Sequence, residues 1–231
     1  MLFRQLWDNE SSTYTYLLGD EQTGDAVLID AVKQRMERDL QLVSELGLTL
    51  RYVLDTHVHA DHVTAAGGIA QKTGAQSVAG RLGAGCAQLH VTGGDRLEFG
   101  SYQIEVIDTP GHTDDSVSYK VADRVFTGDA LLIRGCGRTD FQNGDAAQLY
   151  HSITTKLFTL PEATFVHPAH DYHGRTVTTV LEEMRFNPRL AGKSLQEFVE
   201  IMNNLKLDLP AKIMEAVPAN RACGLSGAVN A

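Results

Sequence analysis

Residues 56–62 read Thr-His-Val-His-Ala-Asp-His, so three of the chain's nine histidines and one aspartate fall inside six positions. No other stretch limits the fold as much. Imidazoles and a carboxylate crowded together are metal-grade ligands. On a regular strand His57 and His59 would point to opposite faces, because side chains alternate with period two. Both reach one centre only if the chain turns there, and the small Ala60 with the acidic Asp61 suits a turn. The fold must therefore present this segment as a loop on something rigid.

Rigid supports are legible in the sequence. "LRYVLDT" (50–56) reads as a buried strand running into the cluster, and "TPGHT" (109–113), "TGDA" (127–130) and "HPAHDY" (167–172) each follow a strand-like run. Loops at strand ends converge on a site while the strands hold them in place. Four such loops carrying His and Asp point to one centre. A lone histidine is ordinarily a hydrogen-bonded structural residue, so His90, His151, His167 and His173 are read that way.

The remaining pattern predicts sheets covered by helices. "TYTYLLGD" (13–20) and "DAVLID" (25–30), joined by Glu-Gln-Thr-Gly, form a hairpin signal. Val32, Met36, Leu40 and Val43 recur at helical spacing with Gly47 as a stop, and a short helix is expected over 65–73. Several strands are expected within 95–128 and another over 163–170. Asp145, with Gln148 three residues on, opens a helix, and Ser194 with Glu197 makes a capping box for a helix over 194–205. Neither a repeat nor a linker marks a boundary, so one domain over 1–231 is expected, residues about 175–231 being mostly helical. The class expected is α/β (α+β).

Composition narrows the partners. With 231 residues, 43% of them hydrophobic, and a net charge of −9, the chain is an ordinary globular one whose acidity argues against nucleic acid or an anionic membrane. Cys86, Cys136 and Cys223 form no CxxC and an odd count, which predicts no disulfide framework and a reducing compartment. The N-terminal segment lacks the layout of a secretory signal, so a cytoplasmic location is expected. A homodimer is the default expectation.

"THVHADH", "PGHT", "GDA" and "PAH", in that order, resemble the motifs of the metallo-β-lactamase superfamily. The resemblance implies an αββα sandwich with the metal site at one edge of two sheets. In dinuclear members the first metal takes His57, His59 and His112. The second takes Asp61, His62 and His170, with Asp129 bridging, and all seven positions are filled. Donor chemistry alone suits Zn, Fe or Mn and a hydrolase.

A closer resemblance redirects the reading. "GDALLIRGCGRTDF" (128–141), "LYHSITTKLFTLP" (149–161), "HPAHDYHG" (167–174) and "NPRL" (187–190) resemble persulfide dioxygenases, as do "FRQL…SSTYTYLL" and "VPAN". That family implies one Fe(II) per chain, held by His57, His112 and Asp129 as a facial triad with three positions open. Glutathione persulfide and O2 would be the substrates, sulfite and glutathione the products, and a sulfurtransferase a functional partner. His59, Asp61, His62 and His170 would then be hydrogen-bonding support or unused ligands. The alternative is a dinuclear, zinc-compatible thioester hydrolase of the glyoxalase II type. Those enzymes usually carry a longer helical C-terminal domain, for which the residues after His170 leave little room.

Glutathione persulfide carries two carboxylates, so Arg138 is the expected fork, with Asp140 for the ammonium and Tyr172 as a hydroxyl donor. An ion pair between Arg138 and Asp140 is the structural alternative, and Arg134 is either a weaker second fork or a solvated loop residue. Cys136, between Gly135 and Gly137, is either a thiol activated by the flanking arginines or a small packed residue. Cys86 and Cys223 have no ionic neighbourhood.

Overall fold

Parallel strands cannot be joined by a tight turn, so a chain that alternates strands with helices is committed to crossovers. The structure, a computed structural model, describes residues 1–210 and 212–225. It divides into two compact units, one of residues 1–91, 98–102 and the chain from Leu209, the other of residues 92–97 and 103–208.

The first sheet contains β1 (Leu2–Asp8), β2 (Thr13–Gly19), β3 (Asp25–Ile29), β4 (Thr49–Leu54), β5 (Gln76–Gly80) and β6 (Leu89–Val91), in chain order. β1, β2 and β3 pair antiparallel, whereas β3 through β6 run parallel. The β2–β3 turn closes on Gly24, whose φ of +78° is one that glycine adopts without a Cβ penalty. Helices α1 (Met36–Glu45) and α2 (Ala66–Thr73) make the crossovers on either side of β4. Leu17, Leu28, Val43, Val53 and Ile69 form the core between these elements. Helix α6 (Ile213–Arg221) belongs to the same unit.

The second sheet runs β12 (Thr178–Thr179), β11 (Phe165–Pro168), β10 (Arg124–Gly128), β9 (Val117–Val121), β8 (Tyr102–Asp108), β7 (Arg96–Phe99). β8, β9 and β10 pair antiparallel, and β10 and β11 run parallel, connected through α3 (Ala146–Thr155). Helices α4 (Val180–Phe186) and α5 (Leu195–Asn203) follow. Leu149, Ile153, Val166, Phe198 and Met202 share one core. Both expected caps form: the Asp145 carboxylate accepts from Gln148 N–H at 2.7 Å, and Ser194 and Glu197 make both bonds of the capping box.

The α+β class and the main elements therefore match expectation. Strands β1, β5 and β6 were not legible: β5 is the small-residue run QSVAG and β6 only three residues long. The expectation of no disulfide is overturned, because Cys86 is bonded to Cys223. The two lie 137 residues apart in sequence, and the count of three hid a pair that the fold brings to a Cα separation of 6.0 Å. Residues 211 and 226–231 of the expected helical segment lie outside the described residues. Among the described residues no helix is long and apolar enough to cross a membrane.

The structural reading of His167 carries a stability consequence. Its ring is buried in β11 and stacked on Phe126 with centroids 5.4 Å apart. Burial, helped by the Arg124 charge, pushes it down to about 4. A base depressed on folding contributes stability above its unfolded value of about 6.5 and loses it as pH falls toward the folded value. Unfolding free energy should therefore drop by about 2 kcal/mol between pH 7 and pH 5 on account of this group. In urea titrations His167→Gln should remove that part of the pH dependence; an unchanged acid limb would reassign it.

Candidate functional site

Strand β4 ends at Leu54, and the chain leaves strand geometry through residues 55–63. His57 and His59 accordingly escape the strict alternation of a strand. Their ring centroids lie 4.2 Å apart, and those of His59 and His62 lie 4.3 Å apart. All three rings are buried, with Asp61 at the partly exposed rim. His59, Asp61 and His62 each offer a ligand atom within 4.8 Å of the others. The loop sits at the C-terminal end of β4, between the parallel strands β3 and β5.

Each ring is oriented by what its far nitrogen touches. Thr56 donates its hydroxyl proton to Asp30, at 3.1 and 3.0 Å from the two carboxylate oxygens. With that proton spent, Thr56 Oγ1 can only accept from His57 Nδ1, 3.0 Å away, so the lone pair of His57 sits on Nε2. Asp30 Oδ1 also accepts from Thr56 N–H at 2.8 Å and from His59 Nε2–H at 3.1 Å. Asp61 Oδ2 accepts from His62 Nδ1–H at 2.8 Å, and Thr13 Oγ1 donates to the same oxygen at 3.2 Å.

His59 is then presented by Nδ1, which is buried and has no hydrogen-bond partner among the described residues. Burial opposes a charge on this ring, but the adjacent Asp30 carboxylate prevails and pushes His59 up to about 9. A proton and a cation therefore compete for Nδ1.

The backbone of the loop has its own brace. Asn220 in α6 donates its amide hydrogens to the His59 and His62 carbonyls at 2.9 and 2.8 Å, and its oxygen accepts from Thr64 N–H at 2.8 Å. Thr64 Oγ1 in turn donates to Asp55 at 2.8 Å. Asp30, Asp55, Thr13, Thr56 and Asn220 all escaped sequence reasoning. One signal was available: "AVLID" and "YVLDT" are both apolar strands that end on an aspartate.

The second unit gathers His112, Asp129 and His170. His112 follows β8, Asp129 follows β10 and His170 follows β11. His112 Nδ1–H donates to the Arg138 carbonyl at 2.6 Å, leaving Nε2 as its ligand end, 3.5 Å from Asp129 Oδ2. His170 Nε2 lies 3.7 Å from Asp129 Oδ1, a buried oxygen without a hydrogen-bond partner among the described residues. Gly137 makes the close approach possible, since a Cβ there would lie 2.5 Å from the Asp129 carbonyl and 2.6 Å from His112 Nδ1.

A carboxylate oxygen and an imidazole nitrogen left unsatisfied in a protein interior cost free energy unless something meets them. Lone pairs on Nδ1 or Nε2 and hard carboxylate oxygens are the donor set of a transition-metal ion, so the residues fit such a metal.

The expected substrate contacts sit differently. Arg138 forks Asp140, with bonds of 2.7 and 2.8 Å, and also donates to the Asp208 carbonyl at 2.6 Å. That bond to Arg138 holds the Asp140 carboxyl below its usual range. Tyr172 is 69% exposed and stacks on His170. Arg134 is no solvated loop residue: it pairs with Glu182 and Glu183, the latter buried.

Cys136 is buried against Met202, and burial pushes its thiol up. The arginines that flank it in sequence are spent on carboxylates. It is the packed residue of the two alternatives.

The chain is similar to known proteins along most of its length. The metallo-beta-lactamase superfamily model matches residues 8–85 and 87–170. The human mitochondrial persulfide dioxygenase ETHE1 is 52% identical over 228 residues, which is 97% of this chain and 89% of that protein. The crystal structure of ETHE1 from Myxococcus xanthus is 62% identical, with a TM-score of 0.96 over 97% of this chain and all of that one. TTHA1623, solved in a di-iron-bound form, is 28% identical with a TM-score of 0.69, over 81% of this chain and all of that one.

Asn220→Ala tests the loop brace. It strands one buried N–H and two carbonyls, which at about 1 kcal/mol or more each predicts a loss of roughly 3 kcal/mol in urea unfolding. A loss below about 1 kcal/mol would mean that the loop is held without it.

Proposed function

The chain belongs to the metallo-β-lactamase superfamily and, within it, to the persulfide dioxygenases; from that premise we propose that it oxidises glutathione persulfide at one Fe(II). The overall conversion is glutathione persulfide, O2 and water to glutathione, sulfite and two protons. The observation that carries the reading is identity above one half that runs along nearly the whole chain.

His57, His112 and Asp129 are the proposed ligands. Fe(II), when bound, supplies the electron transfer to O2 that no side chain provides. The chain supplies the rest. Thr56 and the Arg138 carbonyl anchor the Nδ1–H groups of His57 and His112, so both rings offer Nε2. Asp129 offsets part of the cation's charge and is a hard donor suited to Fe(II). His59, Asp61, His62 and His170 take the role of hydrogen-bonding support around the ligands.

For the substrate, exposed Tyr172 and the Arg138–Asp140 pair are the proposed glutathione contacts. Arg138 does double duty in this reading, because its carbonyl also holds His112.

A homodimer, a sulfurtransferase supplying the persulfide and a cytoplasmic location complete the proposal. The Cys86–Cys223 bond weighs against that location, since disulfides are rare in reducing compartments. Cell fractionation with thiol labelling decides between them.

The central test is oxygen uptake on adding glutathione persulfide, with metal analysis on the same preparation. Uptake with sulfite release and about one iron per chain is expected, and His112→Ala or Asp129→Ala should lose both iron and turnover. Two zincs per chain, no oxygen uptake and anaerobic hydrolysis of a lactoyl-glutathione-type thioester would replace this reading with a hydrolase.

A further inference from the structure

We infer that Glu183, in α4, is a positioning residue for His112: it grips one end of the 134–138 loop, whose other end holds that ring. This role rests on the metal-binding reading of His112 and Asp129, but not on the identity of the metal or the reaction.

The loop is a bridge with two ends. Its first three residues are held by α4 and the turn that follows it. Arg134 N–H donates to Glu183 at 2.9 Å, the Gly135 carbonyl accepts from Asn187 at 3.0 Å, and the Cys136 carbonyl accepts from Arg189 at 2.6 Å. The last two residues face the metal ligands. Gly137 N–H donates to the Asp129 carbonyl at 2.7 Å, and the Arg138 carbonyl accepts from His112 Nδ1–H at 2.6 Å. Five successive residues each commit a backbone group, three to the outer grip and two to the ligands.

Glu183 is the centre of the outer grip. It is fully buried, and four donors converge on its carboxylate: Arg134 N–H, the Arg134 guanidinium, the Thr178 hydroxyl and the Asn187 amide. A buried carboxylate is tolerated only when paired and hydrogen-bonded in this way, so its donors are held as firmly as it is. Asn187, also buried, passes the grip on. Its amide donates to both Glu183 and the Gly135 carbonyl, and its oxygen accepts from Arg189 N–H at 3.1 Å. Asn187 and Arg189 are the polar residues of the "NPRL" stretch, to which the proposed chemistry gives no task.

The backbone shows the same commitment. Arg134 has φ +60°, a left-handed conformation uncommon for a residue other than glycine, asparagine or aspartate. Such strain persists where the surroundings over-determine it. Here the N–H and the guanidinium of the strained residue end on one buried carboxylate. Loosening that end lets the turn relax, and the Arg138 carbonyl moves with it. Hydrogen-bond partners of metal-facing imidazoles typically matter by 10- to 100-fold in metal affinity.

Glu183→Gln is the sharp variant, because Gln keeps the shape but accepts at only one end. Its amide hydrogens must face either Arg134 N–H and Asn187 or the guanidinium and Thr178. The probes are the ring N–H resonances of the metal-free, 15N-labelled full chain and an optical titration with Co(II). The wild type should show protected downfield resonances for His112 Nδ1–H and His57 Nδ1–H. Glu183→Gln should shift or lose the His112 resonance and weaken Co(II) binding by about 10-fold. The His57 resonance, whose acceptor is Thr56, should persist, a split that general destabilisation would not produce.

Arg189→Met removes the donor to the Cys136 carbonyl, leaves the Glu183 carboxylate its four donors, and serves if Glu183→Gln does not fold. It should move the His112 resonance in the same direction and spare His57. An unchanged His112 resonance in either folded variant would overturn this role, as would equal loss at His112 and His57. Neither probe involves persulfide or O2, so a failure of the dioxygenase reading would leave these results standing. A wild type that binds no Co(II) would instead remove the metal-binding reading itself.

Discussion

An imidazole serves a metal best when its other nitrogen is held by a hydrogen bond, which fixes tautomer and ring orientation. In this chain the holders are oxygens built into the scaffold: Thr56 Oγ1 behind His57, Asp30 behind His59, Asp61 behind His62 and the Arg138 carbonyl behind His112. Each has a fixed address, a strand end or a loop packed on one. The ring cannot choose its tautomer freely, and the ligand atom is set before any ion arrives. Much of the architecture around the loops reads as a means of placing those oxygens. Where the oxygen is an aspartate beside a buried ring, as at Asp30, it also raises the proton affinity of that ring.

Strand direction accounts for where the loops fall. β3, β4 and β5 run parallel, so Asp30, at the end of one, and the 55–63 loop, at the end of its neighbour, emerge at the same edge. The register places Ile29 opposite Leu54, which puts Asp30 beside Asp55. β10 and β11 are likewise parallel and deliver Asp129 and His170 together. An antiparallel partner would send the following loop to the opposite edge. Parallel pairs are thus the feature that each unit uses to collect its donors.

How much of this was legible in the sequence follows from the range of each interaction. Hairpins, caps and helix stripes depend on residues a few positions apart, and Asp145, Ser194 and the β2–β3 turn were read correctly for that reason. Ligand candidates were legible too, because three histidines in six positions have few other uses. The supports were not. Asn220 acts on carbonyls 161 and 158 residues earlier, and nothing local distinguishes it from a polar residue in a weakly amphipathic helix. Arg138 shows the converse: its side chain drew attention as a carboxylate fork and does fork Asp140, but its backbone carbonyl, which accepts from His112, went unread. Sequence reasoning weighs side chains and has no access to which carbonyl will be aimed where.

The disulfide belongs to the same long-range class. Cys223 lies three residues beyond Asn220 and is bonded to Cys86, in the loop between β5 and β6. The Cys223 carbonyl also accepts from Gly67 N–H at 3.0 Å, near the start of α2. The segment that braces the metal loop is thereby tied to the first unit by a covalent bond, a backbone hydrogen bond and the Asn220 amide within four residues. These ties differ in kind. A bond closing so long a span acts chiefly by restricting the unfolded chain, on the order of 4–5 kcal/mol in the chain-entropy account. The three Asn220 bonds act in the folded state, because they satisfy buried groups of the loop itself. Reduction would then lower the stability of the unit while leaving the loop's hydrogen bonds available. Loss of the amide would spare the covalent tie and loosen the histidines.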